Sequence, residues 1–345
     1  MKVDGGLGIS RGSGEMSSEA IAASVREQEQ LGYDGVWSAE TAHDAFLPLV
    51  VAAEHSEHIE LGTAIAVAFA RNPMNLAYLA NDLQLMSKGR FMLGLGSQIK
   101  PHIEKRFAMP WSHPAPRMRE LILAIRAIWD AWETGGKLDF RGDFYTHTLM
   151  TPFFDPGPNP YGRPKILLAA VGEVMTSVAA EVADGMLVHG FTTHRYLREV
   201  TVPTIEAGLE RAGKKRGDFQ ISYPAFVVTG RDDEQMTKAA AGVRQQIAFY
   251  GSTPAYRGVL DLHGWGEVGA ELNRLSKSDD AGRWQAMGTL IDDEMLDAFA
   301  VVAPPDQVAA AIKDRFGDLV DRFSFYAPYA AEPGTWDAVI AELKG

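Results

Sequence analysis

The order of elements constrains this chain more than any single motif: short β-type runs alternate with longer helical patterns, eight times over. The β runs fall at 2–7, 34–40, 59–67, 90–96, 165–170, 184–190, 219–230 and 321–327. Helical patterns follow at 17–31, 45–57, 73–87, 114–133, 173–183, 194–213, 232–250 and 305–316. A helix between two strands returns the chain to the same edge, so successive strands lie parallel and helices cover the sheet. Eight such units close into a (β/α)8 TIM barrel, an α/β fold. Local signals agree: Ser17 or Ser18 suits an N-cap, Pro73 opens a helix where a missing N–H costs nothing, and Lys88-Gly89 closes it.

An open doubly wound sheet is the competing architecture. Its glycine fingerprint is matched only by Gly94-Leu95-Gly96-Ser97, which follows the fourth strand and lacks a third glycine before the next helix. At 345 residues one barrel with insertions is long enough to account for everything, so a single domain over 1–345 is expected, with insertions near 98–113, 137–163 and 250–300. Net charge −12 and the lack of a basic run exclude general binding to nucleic acid or anionic membrane. No apolar stretch reaches the ~18 residues of a membrane span, and Met1-Lys2-Val3-Asp4 runs straight into a strand, so a cytoplasmic location is expected. With no cysteine, disulfides, thiolate metal sites and a Cys nucleophile are impossible.

Barrel enzymes place their chemistry at the carboxyl ends of the strands. Here those ends read Gly5-Gly6, Ala39-Glu40-Thr41, Ala64 to Ala68, Gly96-Ser97-Gln98, Ala169 to Gly172, and His189-Gly190. Small residues at one strand end merely allow close helix packing; six such ends leave a broad floor for a flat ring. Gly172 ends a strand where a helix begins, which suits a phosphate or, equally, a turn glycine with Glu173 answering the helix dipole. His43 lies in a rim loop with Glu40, Thr41 and Asp44, which makes it the first candidate for a general acid or base. His55 and His58 are spaced i, i+3 without a third ligand, so no metal site is expected. No G-x-S-x-G elbow or Walker A pattern occurs.

Several stretches together resemble the bacterial luciferase-like monooxygenase superfamily, and within it the branch of coenzyme F420-dependent oxidoreductases. They are "LGYDGVWSAET", "IELGTAIAVAFARNPMNLA", "KGRFMLGLGSQIKPHIEKRF", "DFRGDFY" and "ILLAAVGEVMTSVAAEVADGMLVHG". The resemblance implies a cis peptide at Ala64-Ile65 behind the cofactor ring, and contacts to that ring from Glu40, Ser97 and Gln98. It places Ala169, Ala170, Val171 and Gly172 on the phosphate side, with His189 and Gly190 at the next strand end. Catalytic roles are expected of Glu40, by this matching, and of His43, by its place in the rim loop. Two departures qualify it: sugar phosphate dehydrogenases of this branch carry a histidine where this chain has Thr41, and an acid where it has Ile99.

The expected activity is therefore hydride transfer between F420 and a small organic substrate, by a homodimer. The alternatives are an FMN-dependent monooxygenase on the same barrel and a non-catalytic cofactor-binding protein. Trp111, Tyr256, Trp265 and Trp284 are expected to roof the pocket.

Overall fold

The computed structural model describes residues 1–7, 16–332 and 334–345. Its barrel strands are β1 (Lys2–Gly6), β2 (Gly35–Ser38), β3 (Glu60–Thr63), β4 (Phe91–Gly96), β5 (Lys165–Ala170), β6 (Gly185–Val188), β7 (Gln220–Val228) and β8 (Arg322–Tyr326). Each pairs in parallel with the next, and β8 closes on β1 through Lys2↔Arg322 and Val3↔Phe323. This is a closed (β/α)8 barrel. Two short strands attach to it: Ala66–Val67 continues the path of β3 and pairs with Leu95 and Gly96, and Ala300–Val302 pairs with Phe226 to Val228.

The helices around the barrel are α1 (Ser18–Gln30), α2 (Leu47–Glu54), α3 (Pro73–Met86), α4 (Pro114–Thr134), α5 (Glu173–Val182), α6 (Val202–Arg211), α7 (Asp233–Gly251), α8 (Val308–Phe316) and α9 (Thr335–Lys344); others lie at His194–Tyr196 and within 257–299. Oxygen-bearing side chains start several of them. Ser17 accepts the Ala20 N–H at 3.2 Å, Asn72 that of Asn75 at 3.0 Å and Asp232 that of Gln235 at 2.8 Å, each contributing about 1 kcal/mol. The helix expected over 194–213 is broken: Leu197–Thr201 is a π-type turn. Pro203, two residues beyond it, has no N–H to give to the carbonyl of Glu199, so the ladder cannot run through unchanged. Phe140–Arg141 and Thr146–His147 form the expected hairpin. Its turn is fastened by Glu120 of α4, which accepts the N–H groups of Asp143, Phe144 and Tyr145 at 2.8, 2.7 and 2.5 Å. No described helix is long and apolar enough to cross a membrane.

Three apolar clusters organise the molecule. The largest joins strands to surrounding helices. A small one plugs the barrel with Met92, Leu167 and Leu187, packed against Trp37, Ala64, Ile65 and Ala169. The third belongs to the insertion between β7 and β8, where Val243, Ile247, Leu260, Leu272, Met287 and Phe299 bury against Phe191 and Phe226 of the barrel rim. Below the plug lies a charged layer. The Arg322 side chain, fully buried, donates Nε–H to Asp4 Oδ2 at 2.7 Å and Nη2–H to Asp4 Oδ1 at 2.6 Å, and also binds Glu60. Trp37 adds an Nε1–H bond to Asp4 Oδ2 at 3.0 Å. A buried bidentate pair of this kind is tolerated because every charged atom has a partner.

Candidate active site

The end of β3 shows why small residues were needed there. Thr63 Oγ1 donates to the carbonyl of Gly94 at 2.7 Å and accepts its N–H at 2.9 Å, which ties β3 tightly to β4. A methyl on Gly94 would lie 1.7 Å from the Thr63 carbonyl oxygen, so only glycine permits this approach. The chain then bulges through Ala64 and Ile65, whose peptide bond is cis, before rejoining the sheet at Ala66. Ala64 N–H donates to Ser38 O at 2.8 Å, and Glu40 N–H to Ile65 O at 3.1 Å, so the bulge is held by the end of β2. Ile65 lies over the end of β4, where a Gly96 methyl would come within 2.6 Å of its Cδ1. Half-buried Ala64, Ile65 and Ala169 thus cap the barrel plug.

Beside this floor sits Glu40, which is buried. Its Oε2 accepts the Val67 N–H at 2.8 Å and an Arg71 Nη1–H at 2.6 Å. The other arm of Arg71 reaches Asp44 Oδ2 at 2.7 Å, and Asp44 Oδ1 accepts the Phe46 N–H at 2.7 Å ahead of α2. The guanidinium also lies over the Phe46 ring, 5.3 Å from its centroid. One side chain therefore joins the loop after β2 to the loop after β3. Arg71 was not singled out from sequence as a functional residue; the Arg-Asn-Pro run carried the signal, since Asn72 and Pro73 fix the start of α3 and leave Arg71 as the last loop position.

The structure gathers the other expected residues around the same rim in different environments. His43 is exposed, and among the described residues no hydrogen bond joins it to Glu40. Ser97 Oγ donates to the Gln98 carbonyl at 3.1 Å, and Gln98 adopts a left-handed φ of 59°. Ile99 is exposed; Glu104 lies 3.8 Å from Lys100. Ala170 is buried, Val171 exposed, and Gly172 is the N-cap of α5 at φ 74° with open space where a side chain would project. His189 is half-buried, accepts the Phe191 N–H on Nδ1 at 3.0 Å, and has its pKa pushed down to about 4 by burial. Gly190 packs under Tyr326, whose Cδ1 would meet an added methyl at 2.8 Å.

The tryptophans divide. Trp111 packs edge-on to Phe69, Trp265 stacks on His263 at 4.4 Å, and Trp284 is an exposed neighbour of Phe249. Tyr256 stands against His189, with ring centroids 4.5 Å apart. Beside it are Tyr250 and Tyr326, whose hydroxyls are 2.6 Å apart. Sequence reasoning missed both, because their partnership spans 76 positions and no local pattern marks it.

Several known proteins are similar to this chain in sequence or in fold. A protein of Mycobacterium tuberculosis described as uncharacterized is 55% identical over 93% of this chain and 92% of its own. The 5,10-methylenetetrahydromethanopterin reductase of Archaeoglobus fulgidus is 29% identical, covering 84% of each chain. The solved structure of the coenzyme F420-dependent tetrahydromethanopterin reductase from Methanopyrus kandleri superposes with a TM-score of 0.76 at 20% identity, over 99% of this chain and 96% of that one. That last likeness concerns the fold. A family model described as luciferase-like monooxygenase matches residues 4–322. The chain belongs to the luciferase-like monooxygenase family.

Proposed function

We propose that this protein is a coenzyme F420-dependent oxidoreductase that exchanges a hydride between the deazaflavin and a small organic substrate. The observation that carries the reading is the floor at the strand ends: half-buried Ala64, Ile65 and Ala169 over an apolar plug, with Glu40 clamped at its edge. A relative 28% identical and named a putative coenzyme F420-dependent oxidoreductase adds support for this cofactor.

The residues present fit such a group. A planar ring needs a flat apolar support and few side chains projecting into its space. Among the described residues an added methyl at Gly6 would meet nothing closer than the Trp37 carbonyl at 3.9 Å, and one at Gly172 nothing within 4 Å. Glu40, Ala64, Ile65, Ser97 and Gln98 would stand around the ring. Ala169, Ala170, Val171 and Gly172 would face the phosphate side, where N–H groups at the start of α5 favour an anion. His189 and Gly190 would complete the far rim. When bound, the deazaflavin supplies two-electron hydride chemistry at the carbon that replaces flavin N5, and reacts poorly with oxygen. The protein contributes orientation, exclusion of water and one positioned proton donor or acceptor, a role this reading assigns to His43, exposed in the loop after β2.

Titrating the purified chain with oxidised F420 and, separately, with FMN, and following the visible absorption band, tests this. F420 is expected to bind and FMN not to. Tight FMN binding with no affinity for F420 would instead favour a flavin monooxygenase, the activity after which the matching family model is described.

A further inference from the structure

We infer that the ring cluster at the ends of β6 and β8 is a binding wall for an uncharged, planar substrate that carries a hydrogen-bond-accepting oxygen, such as an aryl ketone. This rests on the oxidoreductase reading above and names the substrate class of that site.

Four rings form the wall, and all are half-buried: His189, Tyr250, Tyr256 and Tyr326. His189 stands edge-on to Tyr250 at 4.7 Å and tilted against Tyr256 at 4.5 Å. Tyr326 is stacked on Phe226 at 4.7 Å and rests on Gly190, so its ring is fixed from both sides. These residues mark the seam where the insertion core docks on the ends of β6, β7 and β8. They face the same end of the barrel as the Ala64–Ile65 floor.

The polar atoms of the wall are donors with hydrogen to spare. In the tyrosine pair one hydroxyl donates to the other at 2.6 Å, which leaves the second to donate elsewhere, with Gln246 as a further hydrogen-bond partner of Tyr250. His189 uses Nδ1 as an acceptor for the Phe191 N–H, which puts its own proton on Nε2. Burial lowers the His189 pKa to about 4 and raises those of Tyr250 and Tyr326, so at neutral pH all three are uncharged and each carries one N–H or O–H hydrogen. Half-buried rings with neutral donors suit an aromatic carbonyl. A phosphate or carboxylate calls for Arg or Lys, and none of these rings supplies a positive charge.

Ligand-observed NMR titration of the full chain without cofactor tests the inference with three probes: acetophenone, cyclohexyl methyl ketone and glucose 6-phosphate. Acetophenone is expected to bind at least about fivefold tighter than its saturated counterpart, and glucose 6-phosphate not to bind. Of Tyr250→Phe and Tyr326→Phe, each checked for native circular dichroism, the one that removes the hydroxyl donating to the ligand is expected to weaken acetophenone by about five- to tenfold, the value of one hydrogen bond. Glucose 6-phosphate binding as tightly as acetophenone would overturn the inference, as would acetophenone affinity indifferent to both variants. If neither variant folds, the selectivity of the unaltered chain decides by the same criterion. Acetophenone binding by a chain that takes no F420 would remove the cofactor reading and leave the wall standing.

Discussion

Nη1 of Arg71 lies 2.6 Å from Oε2 of Glu40, and both side chains are largely buried, at 16% and 6% exposure. Two rim loops, from β2 and β3, are joined through this contact and its continuation to Asp44.

Removing the cation should therefore cost more than a surface ion pair would. In Arg71→Met the Glu40 carboxylate stays buried with only the Val67 N–H to solvate it. The expected loss is about 3 kcal/mol, read as a lower urea midpoint with unchanged slope. Adding Glu40→Gln should recover much of it, because no buried charge then remains unpaired. A loss below ~1 kcal/mol would mean that the rim opens to water at Glu40.

The floor of the barrel makes a parallel case with a larger stake. Arg322→Leu strips Asp4 of both guanidinium bonds and leaves it only the Trp37 N–H. We expect a loss of about 3–5 kcal/mol by denaturant unfolding, and a smaller loss when Asp4→Asn is combined with it. Because this layer lies beneath the plug, cofactor affinity measured below the unfolding transition should change far less than stability does.

Acid should act through His189. Its ring in the folded chain takes a proton only near pH 4, against about 6.5 when exposed, because burial disfavours the cation. Between those values the unfolded chain holds more protons, so stability falls as pH falls through that window; above it His189 contributes no pH dependence. His189→Gln removes this titration. The difference in urea midpoint between the native chain and the variant is expected to shift in the variant's favour from pH 7.5 to pH 5. An unchanged difference would show that the ring is freely hydrated.

How much of this was legible beforehand depends on distance along the chain. Every barrel strand was readable, because alternation of β and helical patterns is local. The strand Ala300–Val302 was not, being too short for any period, and α9 passed unnoticed although it packs Val339, Ile340 and Leu343 into the core. At the rim, small residues were visible in sequence, but their purpose was not: Gly94 is small because it meets the Thr63 carbonyl, and Gly96 because it meets Ile65. The Arg71 clamp and the Tyr250–Tyr326 pair stayed hidden for the same reason. Each joins side chains from separate elements, and only closure of the barrel brings them together.

Gly62 offers the sharpest test of that closure. A methyl there would lie 2.2 Å from Cζ3 and 2.5 Å from Cε3 of Trp37, a rigid ring held on its far edge by the bond to Asp4 and covered by Arg322, 5.6 Å from the ring. The indole cannot retreat without breaking one of those contacts, and β3 cannot retreat without breaking its register with β2 at Trp37↔Gly62. Gly62→Ala should thus destabilise by about 2–3 kcal/mol, an overpacking cost, even though alanine is ordinarily the better strand residue. Trp37→Leu in the same chain removes the obstructing ring and should make the alanine nearly neutral relative to Trp37→Leu alone. A double-mutant cycle in urea gives the coupling directly, and a coupling below ~0.5 kcal/mol would mean that the ring and β3 are not in contact as described.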